Sequence, residues 1–311
     1  MNQTAILLIL GFCVTEALYN VFIRKTMNRE GKSWTARVNT VTGIAGALAA
    51  ILLFVFAYFS GGAQITPGWW WPIIVTGLLV GVIIFAEFKA LSLEDASLVG
   101  PIAATTPAAV VVASFFILGE YPTFWGWIGI NLLVIGTYVL NVQSFLEKKK
   151  ASGGQINWRD WLAPFIMLSK SRGVRYAFLG VPFAVFSLNF EAMAVRTANV
   201  AFASGCIFAI AALLNLAAGW RLEGPINRSV VAKLWNKELL LISILMFLSI
   251  IFANTAFRYS IVPYVGTLKR LQIPLTIILA YLVLGEKKSF RYRFLGGTIM
   301  MAVGAALIAL G

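Results

Sequence analysis

The sequence contains no histidine. That absence excludes Ser-His-Asp triads, His-bearing zinc sites and histidine proton relays. Cysteine is almost missing as well. Cys13 and Cys206 lie far apart inside apolar stretches, where they read as small buried hydrophobes and not as a disulfide framework or metal site. Charge is scarce, at 12% of 311 residues, against about a quarter in soluble domains. Residues 38–86, 121–146, 197–220, 239–257 and 294–311 hold no Asp, Glu, Lys or Arg at all. Such runs read as membrane-spanning helices, because about 20 residues rising 1.5 Å each cross a ~30 Å hydrocarbon core. With 60% of the chain hydrophobic, the predicted class is an all-α polytopic membrane protein.

Ten spans are expected, over residues 4–23, 38–59, 69–91, 96–118, 123–143, 174–195, 198–219, 239–257, 261–284 and 294–310. The first ten residues lack the basic flank of a cleaved signal peptide and are read as mature protein. The longest connection, residues 144–173, holds Lys148, Lys149 and Lys150, then Trp158, Arg159, Asp160 and Trp161. It reads either as an ordinary linker or as a short interfacial helix with tryptophans at headgroup depth. Trp69, Trp70 and Trp71 read as an interfacial belt.

The net charge of +13 is explained by loop placement and requires no nucleic acid. The loops after spans one, three, five, seven and nine collect the basic residues, among them Arg24, Lys25, Lys89, Arg175, Arg221, Lys287 and Arg293. The opposite side holds only Arg196 and Arg258. The positive-inside rule therefore places both termini outside, and the expected location is a bacterial or archaeal cytoplasmic membrane.

An internal repeat is visible. Leu98-Val99-Gly100, followed by an apolar span closing on Leu118-Gly119-Glu120, matches Tyr264-Val265-Gly266 through to Leu284-Gly285-Glu286. Gly129 and Gly136 then match Gly297 and Gly304, and Phe85-Ala86 matches Phe252-Ala253. Five spans per copy is an odd number, so the second copy is inverted. The expected division is a first repeat over residues 1–143, a cytoplasmic linker over 144–173 and a second repeat over 174–311. Inverted repeats place a substrate site near the midplane between the halves.

Two five-span repeats, each with Leu-Gly-Glu closing its fourth span, resemble the drug/metabolite transporter superfamily, and most of all its ten-span EamA-like members. The resemblance implies a carrier working by alternating access, with termini on the cytoplasmic side, the reverse of what the loop charges say. Two narrower similarities exist. The first span, with Glu16 eight positions before Arg24, is similar to that of small multidrug resistance transporters, whose intramembrane Glu binds protons and cationic drugs. Tyr19 and Asn20 here replace that family's glycines. Gly266-Thr267-Leu268-Lys269-Arg270 resembles the ninth helix of sugar-phosphate translocators, where adjacent Lys and Arg hold phosphate.

Lys269 and Arg270 are the sharpest chemical signal. A basic residue deep in a span costs about 2.5–3.5 kcal/mol on insertion scales, so two are not expected to face lipid. Because adjacent side chains point about 100° apart, at most one is expected to point straight into a cavity. They read as an anion site, Arg as a fork and Lys as a point charge, or as structural partners of intramembrane acids. Pro274 removes the hydrogen bond to the Arg270 carbonyl and loosens the helix there. The first copy carries Pro101 and Pro107 but Ala103 and Ala104 at the basic positions. Glu16 lies mid-span and suits proton coupling, or else a fixed ion pair with Lys269 or Arg270. Glu87 and Glu191 are further coupling candidates, whereas Lys89 and Arg196 read as interfacial. Tyr19, Asn20, Asn189 and Asn254 are candidates to orient substrate, although polar residues equally join helices. Glu120 and Glu286 end spans and are expected to face water or cap basic neighbours.

These readings predict a secondary transporter for a small organic anion or zwitterion, phosphorylated or not, driven by protons or exchange. The alternatives are a proton-coupled multidrug or amino-acid exporter centred on Glu16, and a flippase for a lipid-linked phosphate. A membrane enzyme is disfavoured by the missing histidine and the lack of a carboxylate cluster in any loop. No cofactor or metal is expected. The expected partners are a small-molecule substrate and the lipid bilayer, not nucleic acid.

Overall fold

A computed structural model describes all residues except 31–36, 95 and 285–296. The described residues are helical with no strand. Helix α1 spans Gln3–Glu30, α2 Val38–Phe59 and α3 Trp70–Leu93. The fourth span is split into α4, Ala96–Ala103, and α5, Thr106–Leu118. Helix α6 covers Phe124–Ala151, a short α7 covers Ala163–Ile166, α8 spans Arg172–Thr197 and α9 Val200–Leu222. A short α10, Arg228–Leu234, precedes α11, Lys237–Ala256. The ninth span is α12, Val262–Leu268, a 3-10 turn at Lys269–Leu271, and α13, Gln272–Leu284. Helix α14 covers Thr298–Leu310. Among the described residues, 9 helices are long and apolar enough to cross a membrane, and α14 is a shorter apolar helix. The expected ten-span, all-α class agrees with this set.

Both broken spans follow from their prolines. Pro101 lies inside α4, and Pro107 opens α5. Pro274 follows the 3-10 turn of the ninth span. Each ring removes an N–H and crowds the preceding turn, so the two fourth-of-five spans are interrupted at corresponding places. The second Leu-Gly-Glu, with Gly285 and Glu286, and the basic residues Lys287, Lys288, Arg291 and Arg293 fall outside the described residues.

Helix pairing follows an approximate twofold relation between span n and span n+5. Helix α2 packs on α9, and α6 packs on α14, each a pair that such an axis maps onto itself. The α3–α8 contact is exchanged with α11–α1, and α9–α3 with α2–α11. The glycines report the same relation at atomic range. A Cβ on Gly129 would fall 2.5 Å from the Gly304 carbonyl oxygen, and one on Gly304 would fall 2.6 Å from that of Gly129. Gly136 and Gly297 form the second reciprocal pair. Residues that correspond between copies thus sit at opposite ends of one antiparallel seam. Close backbone approach through small residues is the usual basis of helix packing where solvent supplies no hydrophobic drive.

Two helices run further than expected from hydrophobicity alone. Helix α6 continues through Lys148, Lys149 and Lys150, which occupy its last turn, where cations complement the helix dipole. Helix α1 likewise extends to Glu30. The connection after α6 forms a 3-10 turn at Trp158–Leu162, α7, and a second 3-10 turn at Met167–Ser169. Asp160 anchors the first turn: it accepts from the Asn157 backbone N–H and pairs with Lys149 at 2.7 Å. Trp158, Leu162, Phe165 and Ile166 remain exposed.

Candidate functional site

Three helices contribute residues that repeat at helical spacing on one face. Helix α1 presents Phe12, Glu16, Tyr19, Asn20 and Ile23, and α11 presents Met246, Ser249, Ile250, Ala253 and Asn254. Helix α3 adds Val80, Ile84 and Glu87. With Glu191 of α8, Phe208 of α9, Thr42 of α2 and Lys269, they enclose a cavity of about 520 Å³. Its lining runs from mid-span Glu16 and Lys269 towards Ile23 and Thr42, on the side that carries the basic loops.

Lys269 projects into this cavity between two aromatic rings. Its Nζ lies 5.3 Å from the Phe12 ring centroid and 4.9 Å from that of Phe257. Both rings are buried, and each offers a negative π face to the ammonium group. The carboxylates of Glu191 and Glu16 also act on Lys269 through space. Among the described residues, however, no carboxylate comes within the 4.0 Å of an ion pair with Lys269 or Arg270. A fixed direct pair with Glu16 is therefore not formed. The Ser249 hydroxyl donates to Thr15 Oγ1 at 3.0 Å.

Arg270 turns the other way. Its Nη2 donates to the Ala103 carbonyl at 3.1 Å, so the breaks of the two discontinuous spans meet through this bond. The guanidinium lines a second cavity of about 160 Å³ together with Ala103, Thr106, Tyr176 and Gly180. Glu87 lines both cavities and is an exposed residue. Its charge acts on Arg270.

The fold thus gathers Glu16, Tyr19, Asn20, Glu87, Glu191, Asn254 and Lys269 around one cavity, while Arg270 opens onto its neighbour. Asn254 donates to Ser204 Oγ at 2.9 Å, which orients its amide. Asn189 lines neither cavity. It is fully buried, accepts from Ser114 Oγ at 2.8 Å and donates to the Val185 carbonyl at 2.9 Å, joining α8 to α5. Phe257, Phe12, Ser249 and Thr42 were not singled out from sequence. Phe12 and Ser249 had a usable signal, since each falls on the same helical face as another polar or charged lining residue. Phe257 had none, because it reaches Lys269 from another span. Among the described residues no cluster of three or more Cys, Asp or Glu could hold a metal ion.

The end opposite the cavity mouth is tied shut. Arg196 Nη1 pairs with Glu120 Oε1 at 2.6 Å, and its Nε donates to the Phe257 carbonyl at 3.0 Å. Glu120 Oε2 accepts from the Val262 N–H at 2.7 Å, capping the start of α12. Arg258 donates to the Val195 carbonyl at 2.8 Å. Of the two expectations for Glu120, facing water or capping basic neighbours, the structure shows it paired with Arg196. At the basic side, Glu223 accepts from the backbone N–H groups of Asn39 at 2.7 Å and Thr40 at 3.0 Å, capping α2.

Comparison with known proteins agrees with this architecture. A solved protein crystal structure matches over 100% of this chain and 98% of its own, with a TM-score of 0.72 at 16% identity; that likeness concerns the fold alone. No curated protein matches the chain in sequence. Residues 3–142, covering the first five spans, match the EamA-like transporter family model. That match indicates a membrane transporter of the drug/metabolite type, similar over its first five spans to the EamA-like transporter family.

Proposed function

We propose that the chain is a secondary transporter for a small zwitterion with an apolar side chain, an apolar α-amino acid being the simplest example, and that it is proton-coupled. The observation that carries this reading is the composition of the larger cavity. Lys269 supplies one cation, Glu16, Glu87 and Glu191 supply carboxylates, and Val80, Ile84, Phe208, Met246 and Ile250 supply apolar wall. A substrate carboxylate would face Lys269, its ammonium group would face Glu16 and Glu87, and its side chain would cover the apolar wall. Lys269 and Arg270 turn into different cavities, which argues against a two-pronged phosphate clamp and hence against a phosphorylated substrate. By the loop charges the basic side is cytoplasmic, so the cavity opens inward while the Glu120–Arg196 network closes the outer end. Alternating access would exchange these two arrangements.

The surplus of carboxylates over Lys269 also supports a second reading, an exporter of lipophilic cations centred on Glu16. Thermal stabilisation of the purified protein separates the two. A ligand that binds only the folded state stabilises it by about 2.7 kcal/mol at 100 times its Kd. The panel is leucine and phenylalanine, simple carboxylates, organic phosphates and tetraphenylphosphonium. We expect the amino acids to raise Tm, with the shift lost in both Lys269→Ala and Glu16→Gln. Stabilisation by tetraphenylphosphonium that survives Lys269→Ala and disappears in Glu16→Gln would overturn the zwitterion reading in favour of the exporter.

A further inference from the structure

The smaller cavity shares Glu87 with the substrate site described above and is otherwise lined by different residues. We propose that it is a water-filled proton route, and that Glu87 is where proton and substrate traffic meet. The inference rests on the transporter reading. At about 160 Å³ the space has room for several waters of ~30 Å³ each, but is less than a third of the substrate cavity.

Its polar groups are of the kind that hold water and not a second substrate. A buried water needs two to four polar partners. Four residues with polar side chains, Arg270, Thr106, Tyr176 and Glu87, line this space. Arg270 has five N–H donors, and a single protein acceptor, the Ala103 carbonyl, takes one of them among the hydrogen bonds of the described residues. The remaining donors have no protein acceptor among the hydrogen bonds of the described residues. One guanidinium and one carboxylate leave the space without net charge, so no ion other than a proton is called for.

Tyr176 lies one turn into α8 beside Arg172 and Arg175, which sets the outer edge of this cavity at the basic side. Glu87 is its inner edge and also lines the larger cavity. The groups facing Glu87 can be enumerated by element. Helix α1 brings Glu16 and Tyr19, α8 brings Glu191 and Tyr176, and the 3-10 turn brings Lys269 and Arg270. Helices α4 and α9 bring no titratable lining group. A proton arriving through the small cavity neutralises Glu87 by forming its O–H bond, which removes the partner of Arg270's field and one attraction for a substrate ammonium group. Substrate and proton then compete for one carboxylate from two sides, and neither needs the other's path.

The test has two arms. In the first, water access is read without any substrate: Ala184→Cys in a background with Cys13 and Cys206 replaced by Ser is treated with a small charged methanethiosulfonate. We expect labelling that Gly180→Leu reduces at least tenfold. A Cβ at Gly180 meets only the Ala86 Cβ, at 3.9 Å, so the larger side chain enters the cavity. An Ala184→Cys that stays inert while Thr42→Cys in the larger cavity reacts would show the space to be dry and overturn the inference. In the second arm, Gly180→Leu in proteoliposomes is assayed with radiolabelled leucine. We expect accumulation driven by a pH gradient to fall at least tenfold while leucine counterflow stays within twofold of wild type. If both modes are unchanged, or both fall together in folded protein, the proton route is overturned. If wild type moves no leucine, the transport reading fails for that substrate, and the labelling arm still decides the cavity.

Discussion

At the scale of single residues, the site works by giving each buried charge a different environment. Lys269 is held by Phe12 and Phe257 and carries no direct carboxylate partner among the described residues, so its N–H donors remain available to a ligand. Hydrogen bonds to charged groups contribute about 1.5–3 kcal/mol, or roughly 10- to 100-fold in affinity. Lys269→Met is therefore expected to weaken leucine binding by that factor while leaving the fold intact, measured by isothermal titration calorimetry beside circular dichroism. Unchanged affinity would mean that the ammonium group does not touch substrate. Asp160 lies outside the membrane spans and behaves differently. The Asn157 backbone N–H, and then Lys149, hold its carboxyl below the ordinary aspartate value. Its anchoring of the linker turn is thus complete above the unfolded-state pKa and is lost as pH falls through the depressed folded value. Tryptophan emission from Trp158 and Trp161 should shift across that acidic window in wild type and not in Asp160→Asn.

At the scale of helices, the α6–α14 seam depends on reciprocal glycines with no space for a side chain. Gly129→Leu or Gly304→Leu places several carbons against facing backbone, and overpacking costs typically 1–3 kcal/mol or more. We expect a lowered Tm in detergent for either variant, while Gly180→Ala, whose Cβ has ordinary van der Waals clearance, stays near wild type. Equal Tm values for all three would contradict the seam. Glu16, Tyr19 and Asn20 on α1 and Asn254 on α11 were legible in sequence as polar residues inside apolar spans, whereas Phe12, Ile23 and Ser249, which share those helical faces, were not singled out. The breaks were legible too, because Pro101, Pro107 and Pro274 have a mechanical effect wherever they stand. Asn189 shows the limit. A buried asparagine hydrogen-bonds whatever polar atom is opposite, and only packing reveals that Ser114 is that neighbour.

At the scale of the whole molecule, one end is tied by Glu120, Arg196 and Arg258, and the other end admits the cavity. The Glu120–Arg196 pair is partly exposed, at 13% and 33% of the side chains, so its net contribution is about 1 kcal/mol or less. That is enough to shift a two-state ratio about fivefold. Arg196→Ala is expected to raise the population with the tied end open, read as a longer distance between spin labels at Tyr121 and Tyr259, which are exposed beside the network. An unchanged distance distribution would show that other contacts hold that end. The sequence by itself determined the membrane class, the ten apolar spans, the inverted repeat and the identity of the buried charges. Each follows from composition and period, which are local properties of the chain. Only the tertiary structure decided that Lys269 and Arg270 part into two cavities and that Glu87 joins them. Those facts depend on which helix stands opposite which, and long-range packing sets that without leaving a local pattern.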